Sequence, residues 1–98
     1  YQTFCRVLAD HAGYAGAVQL QLSHAGRNDQ IRVLLEAESG LEAASVRQLL
    51  LDNYPDLRQF VNEVKFTDLE VTLISLSEFA TTPSTGKLKH IVDLRSPA

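Results

Sequence analysis

The sequence lacks several features that define common functional classes. It has no tryptophan, no methionine and one cysteine, Cys5. A single cysteine allows neither an internal disulfide nor a cysteine-based metal cluster, which predicts a protein of the reducing cytoplasm. No apolar run approaches the roughly 20 residues that a membrane-spanning helix needs. The start of the chain also lacks the basic and apolar regions of a secretory signal peptide, so we expect no membrane partner.

An excess of positive charge is missing as well. The chain has 9 Lys and Arg residues against 12 Asp and Glu residues, a formal net charge of −3. A nucleic-acid-binding protein is expected to carry a basic face, so nucleic acid is not an expected partner. The apolar fraction of 45% and the charged fraction of 21% are those of a globular protein. With 98 residues, the chain is long enough for one domain with a buried core.

No cluster of residues with metal-binding or catalytic spacing is found. No two of the three histidines share the spacing of one helix face, and no metal site is expected. These histidines are His11, His24 and His90. We interpret His11 as a packing residue on a helix and Cys5 as a buried structural thiol. Glu36 and Glu38 lie on one face at the end of a predicted strand, where a solvated edge is a better interpretation than an acid/base pair.

Hydrophobic periodicity predicts the order helix, strand, strand, helix, strand. The predicted elements are a helix over residues 2–12, strands over 17–23 and 31–36, a helix that opens at 39–42 and ends before Pro55, a short helical turn from Pro55, and a strand over 69–76. Ser39 and Glu42 match the capping-box pattern of a helix start. Gly13 is the expected end of the first helix.

This order predicts an α+β fold. We expect a small three- to four-stranded, mostly antiparallel sheet with two or three helices packed on one face. The first two strands would form an antiparallel hairpin. The core is expected to form between the strand residues Leu20, Leu22, Val33, Leu35, Val71 and Leu73 and the helix residues Leu8, Val46, Leu49 and Leu50.

The main candidate for function is a loop of small polar residues that ends in a lysine. It runs Ala-Thr-Thr-Pro-Ser-Thr-Gly-Lys over residues 80–87. Gly86 lets the backbone approach a ligand closely and swing, the hydroxyls of Ser84 and Thr85 offer donors to a phosphate or carboxylate, and Lys87 supplies a cation. The alternating segment 88–92 would fasten this loop to the sheet. The plain alternative is an exposed surface turn.

A phosphate-binding P-loop does not fit this stretch. The P-loop pattern requires glycine where Thr81 stands, because the backbone must fold tightly around the phosphates. It also requires serine or threonine where Leu88 stands, to reach magnesium. The Gly-Lys pair therefore needs another explanation.

Near its end the chain has the run Gly86-Lys87-Leu88-Lys89-His90-Ile91-Val92-Asp93-Leu94-Arg95. Its pattern is Gly-Lys, two variable residues, a basic residue, an apolar pair and then Asp-x-Arg. This run resembles the C-terminal signature of the adenylate-forming enzymes, specifically the phenylacetate–CoA ligase-like branch. The order of helices and strands is also similar to that of the family's small C-terminal lid domain. His90 stands where arginine is common, and Thr82 and Pro83 occupy positions where the family has a proline and a basic residue.

The resemblance implies that residues 1–98 are the C-terminal lid domain of an AMP-forming acyl- or aryl-CoA ligase, or of a related adenylating enzyme that passes its acyl group to a carrier protein or an amine. The lid would close over ATP and a carboxylic acid, with an arylacetic acid as one candidate substrate. Lys87 would be the catalytic residue of adenylation, and Gly86, Thr85 and Ser84 would contact the nucleotide. ATP, CoA and Mg²⁺ would be bound by the full-length enzyme, with none held tightly by this domain. In these enzymes the lid then rotates and presents another face for the thiol step.

The large domain of such a ligase is missing from this sequence, which begins at Tyr1 without a methionine. We therefore expect a fragment that is inactive alone and whose main partner is the enzyme's own N-terminal nucleotide-binding domain. A homodimer is also compatible with the sequence. The alternative hypothesis is a free-standing α+β regulatory or protein-interaction module that pairs through a sheet edge and catalyses nothing. The coding sequence upstream of Tyr1 distinguishes the two.

Overall fold

The computed structural model describes residues 1–25, 28–59, 61, 67–82 and 84–94. The main elements, in chain order, are α1 (Gln2–Ala12), β1 (Val18–Ala25), β2 (Asn28–Glu36), α2 (Ala43–Asn53), α3 (Pro55–Gln59), β3 (Thr67–Ile74) and β4 (Ile91–Asp93). Short 3₁₀ turns cover Ala37–Ser39 and Leu76–Glu78. Within the described residues, no helix has both the length and the apolar character needed to cross a lipid bilayer.

The sheet has four strands in the order β3-β2-β1-β4. β1 and β2 form the expected antiparallel hairpin, with Val18 opposite Leu35 and Ala25 opposite Asn28. The other two pairings, β2 with β3 and β1 with β4, are parallel. The predicted α+β class with helices on one face is confirmed, but the sheet is mixed, not mostly antiparallel.

The parallel pairing of β2 with β3 follows from the connection between them. A tight turn joins only antiparallel strands, whereas parallel neighbours need a crossover of a dozen or more residues, usually helical. Here α2 and α3 lie between β2 and β3 in the chain and return it to the starting end of the sheet. Helix periodicity shows that a helix is present, but not on which side of β2 the next strand pairs.

The core lies between the helices and one face of the sheet. Its members are Phe4, Val7, Leu8 and Tyr14, then Val18, Leu20, Val33 and Leu35, then Val46, Leu50, Leu51 and Leu57, and finally Leu69 and Val71. Leu49 and Leu73 are partly buried against this cluster, as expected, whereas Leu22 is half-buried and outside it. Each buried leucine or valine contributes on the order of 1.5–3 kcal/mol before the loss of entropy is counted.

The sequence predicts the end of α1 correctly and the start of α2 incorrectly. α1 ends at Gly13 in the left-handed conformation, with φ of 64°, as expected. The capping box predicted at Ser39 and Glu42 is wrong, because Ser39 belongs to the preceding 3₁₀ turn and α2 begins at Ala43. Gly40, with φ of 76°, turns the chain between the two and separates Ser39 from the helix.

Tyr14 joins the beginning of β1 to the end of β2. Its hydroxyl donates to the Ala17 carbonyl and accepts the Glu36 N–H at 3.0 Å. The Glu36 carboxylate in turn accepts the Ala17 N–H at 2.7 Å. A Cβ atom at Gly16 would clash with Glu36 Oε2 and lie 2.9 Å from the Tyr14 hydroxyl, so a larger residue there would displace one of these two hydrogen-bonding groups. Burial raises the pKa of Tyr14 above its ordinary value, which keeps the hydroxyl protonated and able to donate.

We expect Tyr14→Phe to lower the free energy of unfolding by about 1–3 kcal/mol, because the Ala17 carbonyl and the Glu36 N–H both lose a partner. The measurement is urea denaturation, read as a lower midpoint at unchanged m-value. Tyr54→Phe is the matched control. Its ring packs edge-on against Phe4 at 5.2 Å, and its hydroxyl makes no hydrogen bond within the described residues. Equal effects of the two substitutions would contradict the role given to the Tyr14 hydroxyl.

Candidate functional site

The predicted loop is a hydrogen-bonded hairpin, which we call the Lys87 hairpin (residues 80–89, with residue 83 not described). Thr81 and Leu88 form an antiparallel bridge. The Lys89 N–H donates to the Ala80 carbonyl at 3.0 Å, and the Thr82 N–H donates to the Lys87 carbonyl at 2.7 Å. The two arms are therefore paired along their length, and the loop is more ordered than a free tether.

The tip of the hairpin is a tight turn that requires glycine. The Thr82 carbonyl accepts the Thr85 N–H at 3.2 Å and the Gly86 N–H at 2.7 Å. Gly86 has φ of 68°, a left-handed conformation that side chains disfavour, although no atom lies within 4 Å of the position of a Cβ there. Gly86 is thus needed for the backbone path and not for space. The Lys87 N–H caps the turn by donating to Thr85 Oγ1 at 3.3 Å.

The predicted site residues come together in this turn. Ser84, Thr85, Gly86 and Lys87 are all exposed. Among the described residues, no carboxylate forms an ion pair with Lys87. The side chain is therefore available to an anion that approaches from outside the domain.

The base of the hairpin is held by Gln19, the only buried polar side chain in the described residues, at 0% exposed. Its Nε2 donates to the carbonyl of Ala80 at 2.9 Å and to the carbonyl of Lys89 at 2.8 Å. Its Oε1 accepts the Ala80 N–H at 3.2 Å. One side chain on β1 thus contacts both arms of the hairpin.

Gln19 faces away from the helices. It alternates along β1 with Val18 and Leu20, which lie in the core, and it is paired with Leu34 of β2. Leu34 is 4% exposed although it lies on the same outer face, and Phe79, directly before Ala80, is also 4% exposed. The outer face of the sheet is therefore covered where the chain enters the Lys87 hairpin.

The segment after the hairpin adds a strand to the sheet. The Leu20 N–H donates to the His90 carbonyl at 2.9 Å, and Ile91–Asp93 pairs in parallel with β1. The His90 ring stacks on the Tyr1 ring with centroids 4.2 Å apart and planes 5° apart. The prediction that residues 88–92 fasten the loop to the sheet is confirmed. Arg95, the last residue of the signature, lies outside the described residues, as does Pro83.

The other candidate residues do not form a second site. His11 is exposed, so the interpretation of it as a packing residue is wrong, and Cys5 is half-buried and not fully enclosed. His24 Nδ1 lies 2.9 Å from Asp29 Oδ1 at the surface. In the part of the chain that is described, no three His, Cys, Asp or Glu residues are grouped so that they could hold a metal ion.

A cleft of about 330 Å³ lies between residues 13–16 and residues 36–39. Tyr14 and Glu36 are among its lining residues, and their hydroxyl and carboxylate take part in the hydrogen bonds that join β1 and β2. Glu38 also lines the cleft and is exposed. The two carboxylates therefore have different environments, with Glu36 in a structural role, and the cleft shares no residue with the Lys87 hairpin.

Comparisons of the chain with family models, with curated proteins and with solved structures gave no match. The resemblance to the adenylate-forming enzymes rests on residues 86–95 and on the order of the elements. Gln19, which supports the same hairpin, was missed by the sequence analysis. Strand alternation assigns it to solvent, and its only sequence signal is its position opposite the core residues of β1.

We expect Gly86→Ala to destabilise the turn by about 1–2 kcal/mol, because alanine disfavours the left-handed conformation. Gly86→Asn should cost less, since asparagine adopts this conformation more readily. Amide hydrogen exchange at Thr82 and Lys89 measures the effect, with faster exchange expected in the alanine variant than in the asparagine variant. Equal exchange in both variants and the unaltered chain would contradict the turn as described.

Proposed function

We propose that this chain is the C-terminal lid domain of an AMP-forming acyl- or aryl-CoA ligase and that Lys87 is its adenylation lysine. The observation that carries the proposal is an exposed lysine at the tip of a hairpin that leads directly into β4, with no carboxylate partner among the described residues. The resembling signature thus coincides with a distinct piece of structure. A lysine held this way can be presented to an anion bound by another domain.

The reaction has two steps, of which Lys87 serves the first. A carboxylate oxygen attacks the α-phosphorus of ATP. A new O–P bond forms as the bond to the bridging oxygen of pyrophosphate breaks, and pyrophosphate leaves with the electron pair. In the second step the sulfur of a thiol such as CoA attacks the acyl carbon, AMP leaves and the thiol loses its proton. The ammonium of Lys87 would stabilise negative charge on the attacking carboxylate and at the α-phosphate. Lysine suits this role because it is a compact, mobile point charge.

The neighbouring turn residues can assist in binding an anion. Thr85 Oγ1 accepts the Lys87 N–H, so the Thr85 hydroxyl proton remains available to donate. Ser84 adds a second exposed hydroxyl. By the same resemblance, ATP and Mg²⁺ would be held by the N-terminal nucleotide-binding domain.

The coding sequence upstream of Tyr1 is the first test. The proposal expects on the order of 300 or more residues that contain a Thr/Ser/Gly-rich loop followed by a lysine, the phosphate-binding part of such a ligase. An initiation codon close to Tyr1 would contradict it and would favour the free-standing interaction module.

We expect Lys87→Ala in the full-length protein to slow formation of acyl-AMP by about 10²–10³-fold, because a preorganised charge is removed from the transition state. Pyrophosphate exchange with a panel of carboxylic acids, arylacetic acids included, measures this step. Transfer from presynthesised acyl-AMP to CoA should be largely retained.

The matched control is Lys89→Ala, which removes an exposed lysine from the same hairpin two residues away. It should leave both half-reactions nearly unchanged. Equal loss of both half-reactions in Lys87→Ala, or equal effects of the two lysine substitutions on acyl-AMP formation, would contradict the role of Lys87.

A further inference from the structure

We infer that Gln19 is the positioning residue of the Lys87 hairpin: its buried amide holds both arms of the hairpin to β1 and so sets where Lys87 points. The structural part of this inference stands on hydrogen-bond geometry alone, whereas its consequence for adenylation rests on the proposed function. Gln19 does not itself approach the anion, and it acts through the backbone of Ala80 and Lys89.

The chemistry of the amide explains why glutamine is needed. A primary amide has two N–H donors and a carbonyl acceptor in one plane. Both donors are used, one on each arm, and the acceptor takes the Ala80 N–H. The Ala80 carbonyl also accepts the Lys89 N–H at 3.0 Å, so the amide closes a network that joins the two arms and the strand. A leucine of similar size would leave the backbone groups without this partner, in a place shielded from water.

The surroundings confine the effect to the hairpin. Residues beyond it remain attached through β4, which pairs with β1, and through the stack of His90 on Tyr1. The core lies on the other face of the sheet. Loss of the Gln19 amide should therefore loosen residues 80–89 without melting the sheet. With the amide in place, the backbone around Lys87 moves with the domain as a unit.

Amide hydrogen exchange in Gln19→Leu tests the clamp directly. The backbone amides of Thr82 and Lys89 should exchange about 10–100-fold faster than in the unaltered chain. Without the Gln19 amide, the two arms are no longer held to β1, so the hydrogen bonds that these amides make between the arms open more often. The amides of Val33 and Leu35, in the centre of the sheet, should keep their rates. Gln21→Leu is the matched control. Gln21 lies two residues along the same strand on the same face, is half-buried, and makes no side-chain hydrogen bond within the described residues. Unchanged hairpin rates, or an equal rise at all amides, would overturn the inference.

Gln19→Glu provides a second test, which distinguishes a hydrogen-bonding role of Gln19 from one in which its side chain only fills space. Above its pKa the introduced carboxylate can accept the Ala80 N–H but repels the two carbonyls that the amide now binds. Below its pKa the carboxylic acid can donate to one of them. Burial raises the pKa of such a group, because it disfavours the charged form. We therefore divide the exchange rate of the Lys89 amide in Gln19→Glu by its rate in the unaltered chain at the same pH. This ratio should be small near pH 4 and rise across about pH 5–8. A ratio that is independent of pH would contradict the clamp.

The full-length protein separates failure of this inference from failure of the proposed function. If the inference on Gln19 and the proposed function both hold, Gln19→Leu alone lowers kcat for acyl-AMP formation. The double variant should then be no slower than Lys87→Ala alone, because the two substitutions remove the same interaction. If Lys87→Ala leaves adenylation intact, the proposed function fails, while the exchange experiments still decide the clamp. An additive loss in the double variant would show that Gln19 acts elsewhere than through Lys87.

Discussion

The buried amide of Gln19 is the interaction on which the candidate site depends. Val18 and Leu20 are held in the core on one face of β1, and this leaves Gln19 facing the other way, where it binds both arms of the hairpin. Side chains alternate along a strand, so a shift of one residue would bring Gln19 into the core and release the hairpin. The same packing that stabilises the domain therefore fixes the direction of Lys87.

The mixed sheet provides the frame for this arrangement. The crossover through α2 and α3 places β3 beside β2, and the chain then passes over the outer face before β4 pairs in parallel with β1. The Lys87 hairpin is part of that passage between the two outer strands. Its backbone is attached at the base by Gln19 and beyond the base by β4, while its tip remains exposed. Under the proposed function, this arrangement would let Lys87 reach an anion held by another domain while the base of the hairpin stays attached to the sheet.

Local patterns in the sequence were sufficient for the parts of the fold that depend on near neighbours. Three such elements form as expected: α1 with its end at Gly13, the β1–β2 hairpin, and the helical turn that begins at Pro55. The pattern Ser-x-x-Glu occurs both at Ser39 and at Ser75, and only the second forms a capping box, at a 3₁₀ turn. Sequence alone did not separate these two positions, since what decides between them is the path of the chain around Gly40.

Interactions between distant residues account for what the sequence did not reveal. The motif locates Gly86 and Lys87, but the hydrogen bonds from Gln19 to the hairpin span 61 to 70 residues, and strand alternation alone places Gln19 only on the face opposite the core. The most direct measurement is NMR of the unaltered chain, through the side-chain amide of Gln19. We predict slow exchange of both Nε2 protons and cross-hydrogen-bond scalar couplings to the carbonyl carbons of Ala80 and Lys89. Rapid exchange of both protons, with no such couplings, would contradict the account.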